Sequence, residues 1–255
     1  MLSVTPIPAF HDNYIWMLRQ DSQREVCVVD PGDAAPVIAA LDAENLTLAS
    51  VLITHHHADH TGGLPELVER YAPHVIGPHN SEIANIDQHV GDGDDIRMLG
   101  RLFEVIEVPG HTLDHIAFFT RGIPAMLFCG DTLFSAGCGR LFEGSPEQMH
   151  SALSRFTALP DDTLVFAAHE YTLSNLEFAS AADPKNKDVQ HALAECRRMR
   201  KLNRPTLPSS MERERRINPF LRCHLADVQQ TASAQGDTSS ELATFATLRT
   251  WKDSF

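Results

Sequence analysis

The chain has 255 residues, 43% hydrophobic and 22% charged, enough apolar material for a core of ordinary size. Its formal net charge of −13 excludes the broad basic surface that nucleic-acid backbones demand. Five cysteines without CxxC spacing imply no disulfide or zinc-finger framework, and no apolar run reaches the length of a membrane span. The opening Met1-Leu2-Ser3-Val4-Thr5 lacks a basic segment followed by an apolar one, so a soluble, reducing, cytoplasmic setting is the expectation.

Taken in order, residues 2–8, 13–19 and 25–30 predict short strands, the third closing in the turn signature Asp30-Pro31-Gly32-Asp33. A helix follows over Ala34 to Leu41, then a strand over Leu48 to Ile53. Gly63 to Tyr71 reads as helical and His74 to Gly77 as a short strand, with a Gly/Asp-rich loop over 91–95. Strands are predicted over Leu102 to Val108, His115 to Thr120 and Met126 to Cys129. A helix over Pro146 to Leu159, with Pro in its first turn, leads to a last strand over Leu164 to Ala167. Beyond that the strands stop. Leu173 to Ala182, Asp188 to Leu202 and Glu241 to Lys252 carry helical patterning, separated by the proline-containing stretch Asn203 to Pro219. The organisation is a mixed α/β domain over 1–169 and a helical one over 170–255.

Chemistry concentrates where the apolar run Ala49 to Ile53 breaks into Thr54-His55-His56-His57-Ala58-Asp59-His60-Thr61-Gly62-Gly63. In extended chain, residues two apart share a face, so His55 and His57 can reach one ion. Asp59 and His60 lie in the following turn, available to a second. Three other apolar runs end in donors: Pro109-Gly110-His111, Gly130-Asp131-Thr132 and His169-Glu170. Single His and Asp residues in loops are usually turn residues, but four strand ends in the same state point to one assembled site. Between Arg197 and Arg222 nine basic residues stand against two acidic ones, a local positive segment on an acidic chain. It suits a small anionic ligand as well as it suits a solvated helix face.

These motifs resemble the metallo-β-lactamase fold superfamily. Within it, Asp131-Thr-Leu-Phe-Ser-Ala-Gly-Cys138-Gly-Arg140-Leu-Phe142-Glu-Gly, His169-Glu-Tyr171-Thr-Leu-Ser-Asn175-Leu, Arg215-Arg216-Ile-Asn218-Pro219-Phe220-Leu-Arg222 and Arg249-Thr-Trp-Lys252-Asp253 resemble glyoxalase II, the hydroxyacylglutathione hydrolases. The resemblance implies a four-layer αββα sandwich followed by a small all-helical domain. It implies two divalent ions per chain, one on His55, His57 and His111, the other on Asp59, His60 and His169, with Asp131 and a water or hydroxide shared between them. Asp59, His60 and Asp131 would then be catalytic, Asp30 and His115 would stand behind the ligands, and His56 would not be one. Zinc is the first expectation for such a set, with iron and manganese also suitable.

By the same resemblance the substrate is a glutathione thioester, S-D-lactoylglutathione, cleaved to glutathione and D-lactate in the second step of methylglyoxal detoxification. Arg140, Phe142, Tyr171, Arg249 and Lys252 would bind it, in a monomer with no nucleic-acid or membrane partner. Two positions depart from the family pattern: Phe142 can be Tyr in relatives, and Asp114 occupies a place where they commonly carry Gly. Other hydrolases of the fold, a one-iron persulfide dioxygenase, a nucleic-acid-processing member and a non-catalytic metal module are the alternatives. Measured metal stoichiometry and a thioester assay separate them.

Overall fold

The computed structural model describes residues 1–80 and 83–255. The chain divides into two compact units, one of residues 1–107 and 114–130, the other of residues 108–113 and 131–255.

The first unit begins with the strands β1 (Leu2–Ala9), β2 (Asn13–Gln20) and β3 (Glu25–Val29). After them come the helix α1 (Ala34–Glu44) and β4 (Thr47–Leu52). The short helix α2 (Ala58–Thr61), α3 (Leu64–Tyr71) and β5 (His74–Pro78) follow. β6 (Gln88–Val90) completes a six-stranded sheet in the order β1 to β6. β1, β2 and β3 pair antiparallel, whereas β3, β4, β5 and β6 run parallel. Parallel strands are buried on both faces, which is why β4 reads as an unbroken apolar run. Val37 and Leu41 of α1 and Leu64 and Leu67 of α3 pack with Val26, Val28, Val51 and Val75 of the sheet. Asp33 caps α1 by accepting from the Ala35 N–H, and Asn45 closes it in the left-handed conformation. Four further strands, β7 (Asp95–Met98), β8 (Arg101–Glu107), β9 (Ile116–Thr120) and β10 (Met126–Gly130), form an antiparallel run around Phe103, Phe118 and Phe128.

The second unit carries a hairpin of β11 (Leu133–Phe134) and β12 (Gly137–Cys138), then α4 (Pro146–Thr157). Ser145 and Gln148 form a capping box on α4, with Pro146 in the first turn as its sequence predicts. β13 (Leu164–Ala167), α5 (Thr172–Ala182) and α6 (Lys187–Lys201) lead to β14 (Ser209–Ser210), which pairs antiparallel with β13. α7 (Met211–Ile217), a 3-10 turn over Pro219–Leu221, α8 (Ala226–Ala232) and α9 (Glu241–Asp253) complete it. Leu176, Ala179, Val189, Ala192 and Ile217 form one apolar cluster, and Phe178 stacks on Phe220, with Trp251 edge-on to Phe178 and Phe245 edge-on to Phe220. Burying each such aromatic contributes about 1.5–3 kcal/mol.

The structure corrects the sequence reading at several points. Strands do not end at Ala167, because β14 follows. The stretch Asn203 to Pro219 contains α7, and Asp59 and His60 stand on the helix α2 rather than in an open turn. No described helix is long and apolar enough to cross a membrane.

Candidate metal centre

The donors of the first unit gather at the carboxyl ends of its parallel strands, the edge where open α/β sheets present their chemistry. Asp30, at the end of β3, adopts the left-handed φ of 53° and is buried. Its carboxylate accepts from the Thr54 N–H (2.8 Å) and from the Thr54 hydroxyl (2.7 Å). The threonine hydrogen is thereby committed, so its oxygen accepts from His55 Nδ1 at 3.0 Å. Nδ1 carries the proton, and His55 Nε2 keeps its lone pair. That lone pair lies 3.1 Å from Nδ1 of His57. Two nitrogens on one tetrahedral zinc, each about 2.0–2.1 Å from the ion, stand about 3.3 Å apart.

His60 Nδ1 lies 3.1 Å from Asp30 Oδ2, and its Nε2 lies 3.4 Å from Asp59 Oδ2. Asp59 is steadied by Asn13, whose Nδ2 donates to Oδ2 at 3.1 Å. His115 stacks on His55 at 4.6 Å between ring centroids. Gly32 explains the closeness of these turns: a Cβ there would meet the Asp59 carbonyl oxygen at 1.8 Å. His56 points its Nδ1 at Asp114 Oδ1 (2.9 Å), and the other Asp114 oxygen accepts from Asn80 (2.8 Å).

In the second unit His111 Nδ1 lies 2.8 Å from the Arg140 carbonyl oxygen. A carbonyl only accepts, so Nδ1 is again the protonated nitrogen and Nε2 bears a lone pair. Nε2 faces Asp131 Oδ2 at 3.4 Å, and His169 Nε2 stands 3.4 Å from Asp131 Oδ1. For His111 this sets acceptor against acceptor at a buried point, an arrangement that a shared cation relieves. The donor set fits metal ions: imidazole nitrogens and carboxylate oxygens, their far sides fixed by protein acceptors. Each unit thus presents donors of the kind an ion takes, His55, His57, Asp59 and His60 in the first and His111, Asp131 and His169 in the second.

A cavity of about 450 Å³ opens beside the second set, with His111 and Asp131 in its wall. Arg140, Phe142, Tyr171, Arg249 and Lys252 all line it, together with Phe134, Cys138, Ser174 and Asn175. Tyr171 stacks flat on His169 at 4.7 Å, and Phe142 meets the His111 ring edge-on at 5.2 Å. Arg249 is buried, its Nη1 donating to Cys138 O at 2.9 Å and its Nη2 to Asp253 at 2.9 Å. Lys252 donates to Ser174 O at 3.4 Å. Partial burial, then the Arg249 and Arg140 charges, push the Lys252 pKa down. Asp253 also lies 3.7 Å from Arg140 Nε, so three cations stand against one carboxylate, a balance that favours an anion. The Cys138 thiol, by contrast, has its pKa pushed up by burial and stays protonated.

Sequence reasoning missed Asn13, Thr54 and the roles of Asp114 and Asn175. Thr54 carried a signal as the residue that joins the β4 run to the histidines, and Asp114 as a departure from the family pattern.

Comparison with known proteins agrees with this chemistry. Residues 10–169 match the family described as the metallo-beta-lactamase superfamily. The solved structure of ETHE1 from Myxococcus xanthus superposes with a TM-score of 0.64 at 26% identity, covering 86% of this chain and 83% of that one. Fold and donors thus define a metallo-β-lactamase-fold protein, mixed α/β with a helical C-terminal region. Residues 170–255 match the family described as hydroxyacylglutathione hydrolase C-terminus. The hydroxyacylglutathione hydrolase of Chromohalobacter salexigens is 62% identical over 255 residues, and that of Aliivibrio salmonicida 50% identical over 256, each alignment spanning 100% of both chains. The chain belongs to the hydroxyacylglutathione hydrolase family, the glyoxalase II enzymes.

Proposed function

We propose that this chain hydrolyses S-(2-hydroxyacyl)glutathione, with S-D-lactoylglutathione as the substrate of the second step of methylglyoxal detoxification, releasing glutathione and D-lactate. The observation that carries this reading is a cavity lined by candidate metal donors and by cations together. His111 and Asp131 stand in its wall as metal donors, and Arg140, Arg249 and Lys252 supply positive charge for the carboxylates of glutathione. Residues 1–169 act as the catalytic domain and 170–255 as the helical substrate-binding domain.

In this reading His55, His57 and His111 would hold one divalent ion, Asp59, His60 and His169 would hold the other, and Asp131 would be shared between them. The 3.1 Å approach of His55 Nε2 to His57 Nδ1 and the 3.4 Å approach of His60 Nε2 to Asp59 Oδ2 support that division. The absence of thiolate from the set suits zinc, with iron and manganese also accommodated. When bound, such a pair supplies an activated water at neutral pH and polarises the thioester carbonyl. The protein's own residues orient the donors: Thr54 and Asp30 fix the tautomer of His55, the Arg140 carbonyl fixes that of His111, and Asn13 aims Asp59. His115 limits rotation of His55 by stacking. Arg140 and Lys252 meet the glutathione carboxylates, and Tyr171 and Phe142 form the walls between. The leaving thiol has a pKa of about 8.5, so it departs as thiolate without a strong acid from the protein. Protonated Cys138 does not compete as a nucleophile.

Five buried free cysteines suit a reducing cytoplasm. The test is thiol release from S-D-lactoylglutathione by metal-loaded protein, with metal content measured on the same sample. Two ions per chain and no thiol release would overturn the proposal.

A further inference from the structure

The segment from Asp131 to Arg140 has little sheet to hold it, since β11 and β12 pair over only two residues each. Its turn places Ala136 at φ 57°, the left-handed region that residues with a Cβ avoid. What holds it is a set of side chains reaching from the helices. Asn218 Nδ2 donates to Phe134 O at 3.2 Å and Gly137 O at 2.9 Å, and Asn175 Nδ2 donates to Ser135 O at 3.1 Å. Arg249 holds Cys138 O. At the centre lies Glu214 of α7, fully buried. Its carboxylate accepts from the Ala136 N–H (2.7 Å), the Ser135 hydroxyl (2.9 Å), Asn218 Nδ2 (3.2 Å) and the Ser209 hydroxyl. Burial pushes its pKa up, and the four donors work against that shift.

The same segment supports the donors on either side of it. Gly139 lies against the Asp131 carbonyl and the His111 ring, and its N–H donates to Thr132 O at 3.2 Å. The Arg140 carbonyl orients His111. Phe134 packs edge-on against His169 at 5.8 Å and Tyr171 at 5.2 Å. We propose that Glu214 is a positioning residue for the hydrolytic reaction: by fixing the turn at Ser135 and Ala136 it sets Asp131, His111 and His169 in register for metal. This rests on reading those three as metal ligands. A buried carboxylate in a network of this kind acts at a distance because backbone donors left without it must move to find partners.

The experiment compares wild type with Glu214→Leu, Glu214→Gln and Asn218→Ala. Zinc content is measured after equilibration with buffered free zinc, alongside melting temperature, kcat and KM for S-D-lactoylglutathione. Glu214→Leu is expected to weaken zinc binding about 10–100-fold and to lower kcat, with KM changed far less. Asn218→Ala is expected to move the same quantities in the same direction. Glu214→Gln restores most of the loss, because the Ser135 and Ser209 hydroxyls can turn to accept from the amide while its oxygen keeps Ala136 and Asn218. If both disruptive variants melt lower yet keep wild-type zinc affinity and kcat, the role is merely structural and the proposal fails. Should Glu214→Leu not fold, Asn218→Ala decides on the same readouts. Wild type that takes up no zinc, iron or manganese overturns the metal reading itself and this inference with it; loaded wild type with equally loaded variants overturns this inference alone.

Discussion

Gly139→Ala is the sharpest probe of how the second unit holds its donors. A Cβ at this position would stand 2.0 Å from the Asp131 carbonyl oxygen, where ordinary contact begins near 3.4 Å. The missing distance, about 1.4 Å, falls on backbone rather than on the end of a flexible side chain, and His111 Nδ1 at 3.1 Å closes the other exit. Overpacking of this kind costs about 1–3 kcal/mol. With an unfolding entropy of about 2.1 cal/mol/K per residue, that cost lowers the melting temperature by about 2–6 °C in a chain of 255 residues. Displacing Asp131 and His111 by about 1 Å is expected to lower kcat about 100-fold. Thermal melting by circular dichroism and turnover on S-D-lactoylglutathione check both numbers. A variant that melts with wild type and turns over normally would show that the segment relaxes freely, and the reasoning about close approach would be wrong.

Lys252 should give the cavity a pH dependence. Its pKa is held below the ordinary 10.5, chiefly by burial, so it loses charge as pH rises through that depressed value. The Kd for S-methylglutathione is expected to rise over the same range in wild type and to stay flat in Lys252→Arg; identical profiles would remove Lys252 from anion binding. Asp114→Ala deprives His56 and Asn80 of their shared acceptor and is expected to cost about 1–2 kcal/mol in urea unfolding, a loss absent from the data if the pair is merely a surface contact. Phe142→Tyr places a hydroxyl on the cavity wall, and a new hydrogen bond of about 0.5–1.5 kcal/mol would lower KM about 2–10-fold. An unchanged KM would place the ring away from any polar part of the substrate.

The candidate metal donors stand out in the sequence because such chemistry admits few residue types and because buried parallel strands write themselves as apolar runs that stop abruptly. The strand β4 and the histidines after it are the clearest case. β6 and β7 were not legible: Gln88-His89-Val90 and Asp95 to Met98 are short and largely polar, and only their neighbours make them strands. The positive segment from Arg197 to Arg222 left two readings open, an anion site and a solvated helix face, for a different reason. In the structure Arg197 pairs with Glu177 at 3.0 Å, Arg213 with Glu195 at 2.9 Å and Arg222 with Asp183 at 3.0 Å. Charges counted along the chain are cancelled by partners from elsewhere, and the cations that line the large cavity are Arg140, Arg249 and Lys252.

Glu214 is the extreme instance of the same difficulty. In Met211-Glu-Arg-Glu-Arg-Arg-Ile217 it is one of five consecutive charged residues, a pattern that reads as a solvated helix face. Yet Glu214 is fully buried while Glu212, two residues earlier, is exposed. Helix propensity does not separate the two. What separates them is a turn 78 residues away with the Ala136 N–H and the Ser135 hydroxyl in need of an acceptor where no strand can supply one. A buried carboxylate becomes predictable only by asking where each backbone donor of an irregular segment goes, and that question has an answer only once the fold is known.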